Sequence, residues 1–255
     1  MKSLFSLFVV IGPAIAHGAT LLPVGPLTFD SNSDYDANFK EGTRTGIAVV
    51  SGKIRVFGNA VVGAAVFDTS ATGGTGGSGG TGGSDNNNDL SNFTITSSIQ
   101  VSNRDPLASA GYFMRLDASE ANGYLALASF TDFNEPTHVK IQLFEGVGLE
   151  TTTLPAAIFS HDFTIATAAN TDFTFAVTAI GGNFTFNFGG QSIAFTDTTV
   201  SATTGQAGIF LRTAPNANGN TRMDNFSITA PIPEPSSWLA VVLSTGLLVS
   251  RRKRL

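Results

Sequence analysis

Cysteine is absent from the 255-residue chain. Without it there is no disulfide framework, no thiolate metal site and no cysteine nucleophile. Histidine is scarce: His17, His138 and His161 are the full set, too few for a His-rich metal centre. Charged side chains make up only 13% of the residues, and their balance is a formal −5. An acidic balance does not favour nucleic acid. The strings Gly-x-Ser-x-Gly (76–80) and Gly-x-Gly-x-x-Gly (74–79) occur only inside a low-complexity glycine-rich run, which makes neither a serine-hydrolase elbow nor a phosphate-binding fingerprint: no Lys follows the run, and it opens no helix. Tryptophan occurs once, at Trp238.

Apolar material is plentiful. The chain is 42% hydrophobic and carries 21 Phe and 28 Gly. That fraction supports a real core and excludes wholesale disorder. The length suits one β domain of ordinary size or two small domains.

Both ends read as addresses. Met1-Lys2 is a short positive start, Leu4 to Ile15 is mostly apolar, and Ala14 and Ala16 are small residues before His17. A basic flank, a short apolar segment and a small-residue exit make residues 1–16 a secretory signal peptide, cut by signal peptidase. At the other end Pro231, Pro233 and Pro235 stiffen an extended lead. The apolar run Trp238 to Val249 follows, 12 residues long, and then Arg251-Arg252-Lys253-Arg254. As a helix that run spans roughly 18 Å at about 1.5 Å per residue, against a hydrocarbon core of about 30 Å. It can enter a membrane, with the basic cluster held on the cytoplasmic face, but it makes a poor permanent anchor.

The tail resembles the PEP-CTERM sorting signal of Gram-negative bacteria: Pro233-Glu234-Pro235, a short hydrophobic helix over 238–249 and a terminal basic cluster at 251–254. The resemblance covers residues 231–255 and assigns three roles. Pro233, Glu234 and Pro235 are recognised; Trp238, Leu239, Val241, Val242, Leu243, Leu247, Leu248 and Val249 hold the chain in the bilayer; Arg251, Arg252, Lys253 and Arg254 act as the stop. It implies export, transient residence in the inner membrane, cleavage by an exosortase, and delivery to the cell surface or exopolysaccharide matrix. An ordinary tail anchor is the rival reading. Five of the 14 basic residues and none of the 19 acidic ones lie in 1–16 and 236–255, so trimming leaves a more acidic body.

Residues 17–230 read as one all-β domain, a two-sheet antiparallel jelly-roll sandwich. Period-two runs recur over Gly46–Phe57, Ala60–Phe67, Phe93–Val101, Gly111–Asp117, Gly123–Phe130 and His138–Glu145. They continue over Ala157–Phe163, Phe173–Ile180, Asn183–Phe188, Ser192–Thr196, Gly208–Thr213 and Met223–Thr229. One face of each is apolar and the other is Thr, Asn, Ser or Ala, which predicts one face on a core and one in solvent. Gly181-Gly182 and Gly189-Gly190 predict hairpins. The run over 72–88 is Gly, Ser, Thr and Asn with little apolar surface, a flexible surface loop. Asp85 and Asp89 offer carboxylates there without EF-hand spacing, so the loop reading is preferred, calcium binding stays open, and no metal or cofactor is assigned.

From about 170 to 229 the chain resembles the second half of concanavalin-A-like (laminin-G-like) sandwiches. The matching pieces are Asp172-Phe173, a Gly-Gly hairpin, Phe195-Thr-Asp197, Gly205 to Leu211 and the closing Met223-Asp224-Asn225-Phe226. Gly111 to Leu116 and Gly123 to Leu127 look like two central strands of the same fold. The family includes binding, adhesive and enzymatic members, so fold alone does not choose among them.

Catalytic signals are weak. The Glu-x-Asp-x-x-Glu spacing of a retaining β-glucanase occurs nowhere. Asp132-Phe-Asn-Glu135 comes closest but precedes Pro136, as a loop does. His161 and Asp162 are adjacent on a strand and point to opposite faces, and His138 begins one. The Asn-Phe-[Thr/Ser] triplets at Asn92, Asn183 and Asn225 mark strand starts. For sugar contacts the candidates are Tyr112, Tyr124, Arg115 and Arg212, with alternation threatening to bury the tyrosines; Asp224 and Asn225 serve equally well to satisfy a closing turn. The expected role is a non-enzymatic exported surface or matrix protein with signal peptidase, exosortase, the inner membrane and extracellular polysaccharide as partners. The alternatives are a carbohydrate-binding module or a glycoside hydrolase.

Overall fold

Phenylalanine at every second position builds the sandwich. In the computed structural model, residues 24–36, 38–41, 46–56, 62–67, 90–101, 108–130, 138–165, 170–213 and 221–229 are described. The signal segment 1–16, the 72–88 run with Asp85 and Asp89, Asp132 to Glu135, and the tail 231–255 lie outside them. The first strands are β1 (Val24–Leu27), β2 (Phe39–Glu41), β3 (Ile47–Val50), β4 (Lys53–Val56) and β5 (Val62–Phe67), with a short helix α1 (Asn32–Asp36) after β1. The long central strands are β6 (Phe93–Val101), β7 (Ser109–Leu116), β8 (Tyr124–Ser129), β9 (His138–Glu145) and β10 (Phe159–Thr164). The last five are β11 (Asp172–Ile180), β12 (Asn183–Phe188), β13 (Gln191–Thr196), β14 (Gln206–Arg212) and β15 (Thr221–Thr229).

They form two antiparallel sheets. Sheet A runs β13-β12-β11-β6-β15-β4-β3, with β1 also on β15; sheet B runs β10-β9-β8-β7-β14-β5-β2. Both termini of the described domain thus sit in sheet A. Among the described residues no helix is long and apolar enough to cross a membrane.

The expected hairpins are present. Gly189 and Gly190 take φ of 54° and 86°, the double positive φ of a type I′ turn, and they join β12 to β13 in register Phe188↔Gln191. The stretch read as one strand over Gly46–Phe57 is instead two, β3 and β4, because Ser51 and Gly52 turn the chain with φ of 57° and 73°. β1, β2 and α1 carry no clear period and were not expected from it.

Inner faces meet in an aromatic seam. Phe175, Phe184, Phe186 and Phe188 of sheet A are fully buried. Tyr112 stacks on Phe175 at 5.0 Å, Tyr124 tilts against Phe184 at 5.1 Å, and Phe130 meets Phe188 edge-on at 5.7 Å. The Tyr112 hydroxyl donates to the Phe175 carbonyl at 2.8 Å, so the Ser97 hydroxyl at 2.7 Å is the donor to it. That pair lets a polar atom cross the core with its hydrogen bonds made.

The outer face of sheet B departs from the expectation of a solvated side. All residues of β7 and β8 are buried. Phe113, Leu125, Leu127, Phe144 and Phe210 form a second apolar cluster on that face. A strap over 147–157 covers it with Val147, Leu149, Leu154 and Ala157. The strand sequences SAGYFMRL and YLALAS are near-continuous apolar runs, the signature of burial on both faces. Gly111 has no alternative here: a Cβ would lie 2.0 Å from the Ala126 carbonyl oxygen of β8.

Phe186→Ala should cost about 3–5 kcal/mol, read as a lowered denaturant midpoint. Thr185→Ala, on the opposite and half-exposed side of β12, should change stability by less than about 0.5 kcal/mol. Similar losses at the two positions would contradict the inward seam.

Candidate functional site

A groove of about 720 Å³ opens where the strap meets the outer face of sheet B. Val62, Phe210 and Arg212 line its sheet side, and Thr151, Thr152, Thr153 and Leu154 its strap side. Strand pairing assembles the sheet side: Arg212 lies opposite Val62, two residues from the Phe210↔Ala64 pair, so Phe210 and Arg212 face the same way. The strap is fixed from its first turn. Val147 N–H donates to Gly123 O at 3.2 Å and Leu149 N–H to Glu120 O at 2.9 Å. Gly148 N–H donates to Thr151 Oγ1 at 2.8 Å, which sets Thr151 at the groove. Gly148 is pressed on Ala121, where a Cβ would come within 2.3 Å of the carbonyl oxygen. Thr152 and Thr153 stay exposed. Arg212 is half-buried, and its Nε is buried with no hydrogen-bond partner among the described residues.

A polar knot closes one end of the sandwich. Arg115 takes φ of 54°, at a register shift between β7 and β14. This irregularity turns its side chain into the sandwich, where it is fully buried. Its guanidinium donates to Ser91 O at 2.8 Å and Ala202 O at 3.2 Å, and sits 5.5 Å from the Phe184 ring centroid. Next to it the Tyr124 hydroxyl donates to Asp197 Oδ2 at 2.9 Å and accepts from Ser201 N–H at 3.2 Å. Burial alone would push the Asp197 carboxyl up. Bonds from the Thr199 N–H, the Thr199 hydroxyl and the Tyr124 hydroxyl outweigh it and hold the carboxyl below its usual range. Burial raises the Tyr124 phenol, keeping it the donor. The knot fastens the 197–205 loop, with Tyr124, Arg115 and Asp197 buried beneath the exposed Thr199 and Ser201.

The sugar-contact candidates therefore separate. Tyr112, Tyr124 and Arg115 are buried and serve the core and the knot. Arg212 alone reaches the groove. Asp224 and Asn225 form an irregularity inside β15 rather than a closing turn: Asn225 has φ of 53° and donates its N–H to Asp224 Oδ1 at 2.7 Å. His161 and Asp162 do not pair. His161 is sandwiched by Phe159 and Phe163, while Asp162 is exposed and 4.0 Å from Lys140 Nζ. His138 begins β9, half-buried. Asn92 precedes β6 and accepts from Gly181 N–H at 3.0 Å; Asn183 opens β12 and accepts from the Thr196 hydroxyl at 2.8 Å. Asn225 breaks the expected pattern by lying within a strand. Among the described residues no group of three or more His, Asp and Glu could hold a metal ion. The threonine run 151–153 was not singled out by spacing or motif; only the strap's position gives it meaning.

No family model matches the chain, and no curated protein matches it. Solved structures do. The β-glucanase of Bacillus licheniformis superposes with a TM-score of 0.54 at 10% identity, over 84% of this chain and 100% of that one. A native glycosidic hydrolase gives 0.52 at 9%, over 84% and 97%. The carbohydrate recognition domain of Emp46p, in its potassium-bound form, gives 0.51 at 9%, over 82% and 97%. The fold is a concanavalin-A-like β-sandwich. At such identities the likeness speaks of architecture alone, and the same architecture carries hydrolases and a sugar-recognition domain.

The depressed Asp197 carboxyl makes a pH prediction. A group held below its unfolded value stabilises the fold fully above about pH 4 and loses that contribution as pH falls through the folded value. Asp197→Asn should lower the thermal midpoint at about pH 6 and shrink the further drop between about pH 5 and pH 2. An unchanged acid limb would show that Asp197 is not the titrating support.

Proposed function

We propose that the chain is an exported, non-catalytic cell-surface or extracellular-matrix protein, delivered through its C-terminal tail. The delivery half rests on sequence: Pro233-Glu234-Pro235, the apolar run 238–249 and Arg251 to Arg254 follow one another in that order. Signal peptidase and an exosortase are the processing partners, and the inner membrane is a stage on the way out. The observation that carries the non-catalytic half is the apolar outer face of sheet B. A retaining glycosidase needs two carboxyl groups about 5–5.5 Å apart, flanking the sugar. The outward positions of the central strands are instead Phe113, Leu125, Leu127, Phe210, Ala64 and Val66, under the strap. A second reading, glycan binding without catalysis, is favoured by the groove with its threonines and Arg212.

Intact-mass measurement of the protein from its native host should find a chain that starts near His17 and ends near Pro235. Replacing Arg251, Arg252, Lys253 and Arg254 with Glu should remove that trimmed form from the surface fraction. Normal trimming in the substituted chain would overturn the role of the basic cluster. Release of reducing sugar from a polysaccharide panel would overturn the non-catalytic reading.

A further inference from the structure

We infer that the groove holds an acidic saccharide unit, its carboxylate on Arg212 and its ring against the apolar wall. This extends the glycan-binding reading and is independent of how the chain is sorted. Arg212 supplies the charge. A guanidinium carries five donors and stays protonated in proteins. In this one Nε is out of solvent and donates to nothing within the described residues. Arg212 lines the groove, so an oxyanion there meets the guanidinium through donors other than the sealed Nε.

The rest of the lining fits a sugar better than a bare ion. Thr152 and Thr153 present exposed hydroxyls. Thr151 Oγ1 already accepts from Gly148 N–H, so its own proton is free to donate into the groove. Val62, Leu154 and Phe210 give the opposite kind of surface. Convergent polar groups beside an apolar wall match the two-sided character of a pyranose ring.

Charge narrows the class further. One guanidinium balances a monoanion such as a carboxylate. The chain as a whole is at a formal −5, so a dense polyanion is repelled. The fitting ligand carries isolated carboxylates among neutral sugars, as a uronic-acid-containing polysaccharide does. Glu150, the one acid in the strap, is exposed and has contacts of its own.

The test is calorimetric titration of the full-length chain, purified in mild detergent, with galacturonic acid, galactose, acetate and inorganic phosphate. Galacturonic acid should bind at least about tenfold more tightly than galactose, as a charge-assisted hydrogen bond predicts. Arg212→Gln should erase that preference, and Thr153→Val should weaken galacturonic acid by a few fold with β14 untouched. Circular dichroism shows whether each variant is folded; if Arg212→Gln is not, Arg212→Lys and Thr153→Val decide. Equal binding of galacturonic acid and galactose, no binding of either, or wild-type binding by folded Arg212→Gln and Thr153→Val would each overturn the site. Acetate or phosphate binding as tightly as galacturonic acid would overturn the saccharide assignment. None of these results bears on the trimmed ends, which the mass measurement tests separately.

Discussion

The contact of Phe175, Phe184 and Phe188 with Tyr112, Tyr124 and Phe130, and of Phe186 with Phe159, decides where the two sheets must sit. Each ring comes from an alternate strand position, so a one-residue slip of β11 or β12 would put the rings outside and Thr or Asn inside. Register is therefore strongly specified across β6, β11, β12 and β13 without a disulfide. The two polar crossings of the seam, Tyr112 with Ser97 and Tyr124 with Asp197, keep their hydrogen bonds and reinforce the same registry.

Arg115 shows how a local irregularity ties the sandwich end together. Its left-handed backbone places a full guanidinium among carbonyls of two separate loops, at Ser91 and Ala202, with Phe184 beneath. Burial pulls the guanidinium below its usual value, yet it keeps two carbonyl partners and an aromatic face. Removing one partner of such a set costs more than the bond itself, because the remaining groups stay buried.

The strands from Phe93 onward are legible because solvent and core impose a period of two on their side chains. Ser51-Gly52 is also a turn signal, yet apolar residues on both sides blur it into one long strand. β1 and β2 are too short to show a period. The outer face of sheet B was missed for another reason. Alternation assigns one face to water by default, whereas the near-continuous apolar runs of β7 and β8 record a covering segment that sequence does not locate. Half of the groove was visible as Arg212. The other half was not, since Val62 and Thr151 to Thr153 come near it only through the β5–β14 pairing and the path of the strap. The aromatic and cationic residues that look most like sugar contacts, Tyr112, Tyr124 and Arg115, are the ones the core needed.

The strap has its backbone hydrogen bonds near its ends, at Val147, Leu149, Thr151 and Ile158. Between them Thr152 to Ala157 make no backbone hydrogen bond among the described residues, and Leu154 and Ala157 lean on the sheet by their side chains. Such a stretch is an adjustable rim: the exposed Thr152 and Thr153 can be replaced while Leu154 and Ala157 keep their cover on the sheet. A change in what the groove grips accordingly needs no change in the rings packed between the two sheets.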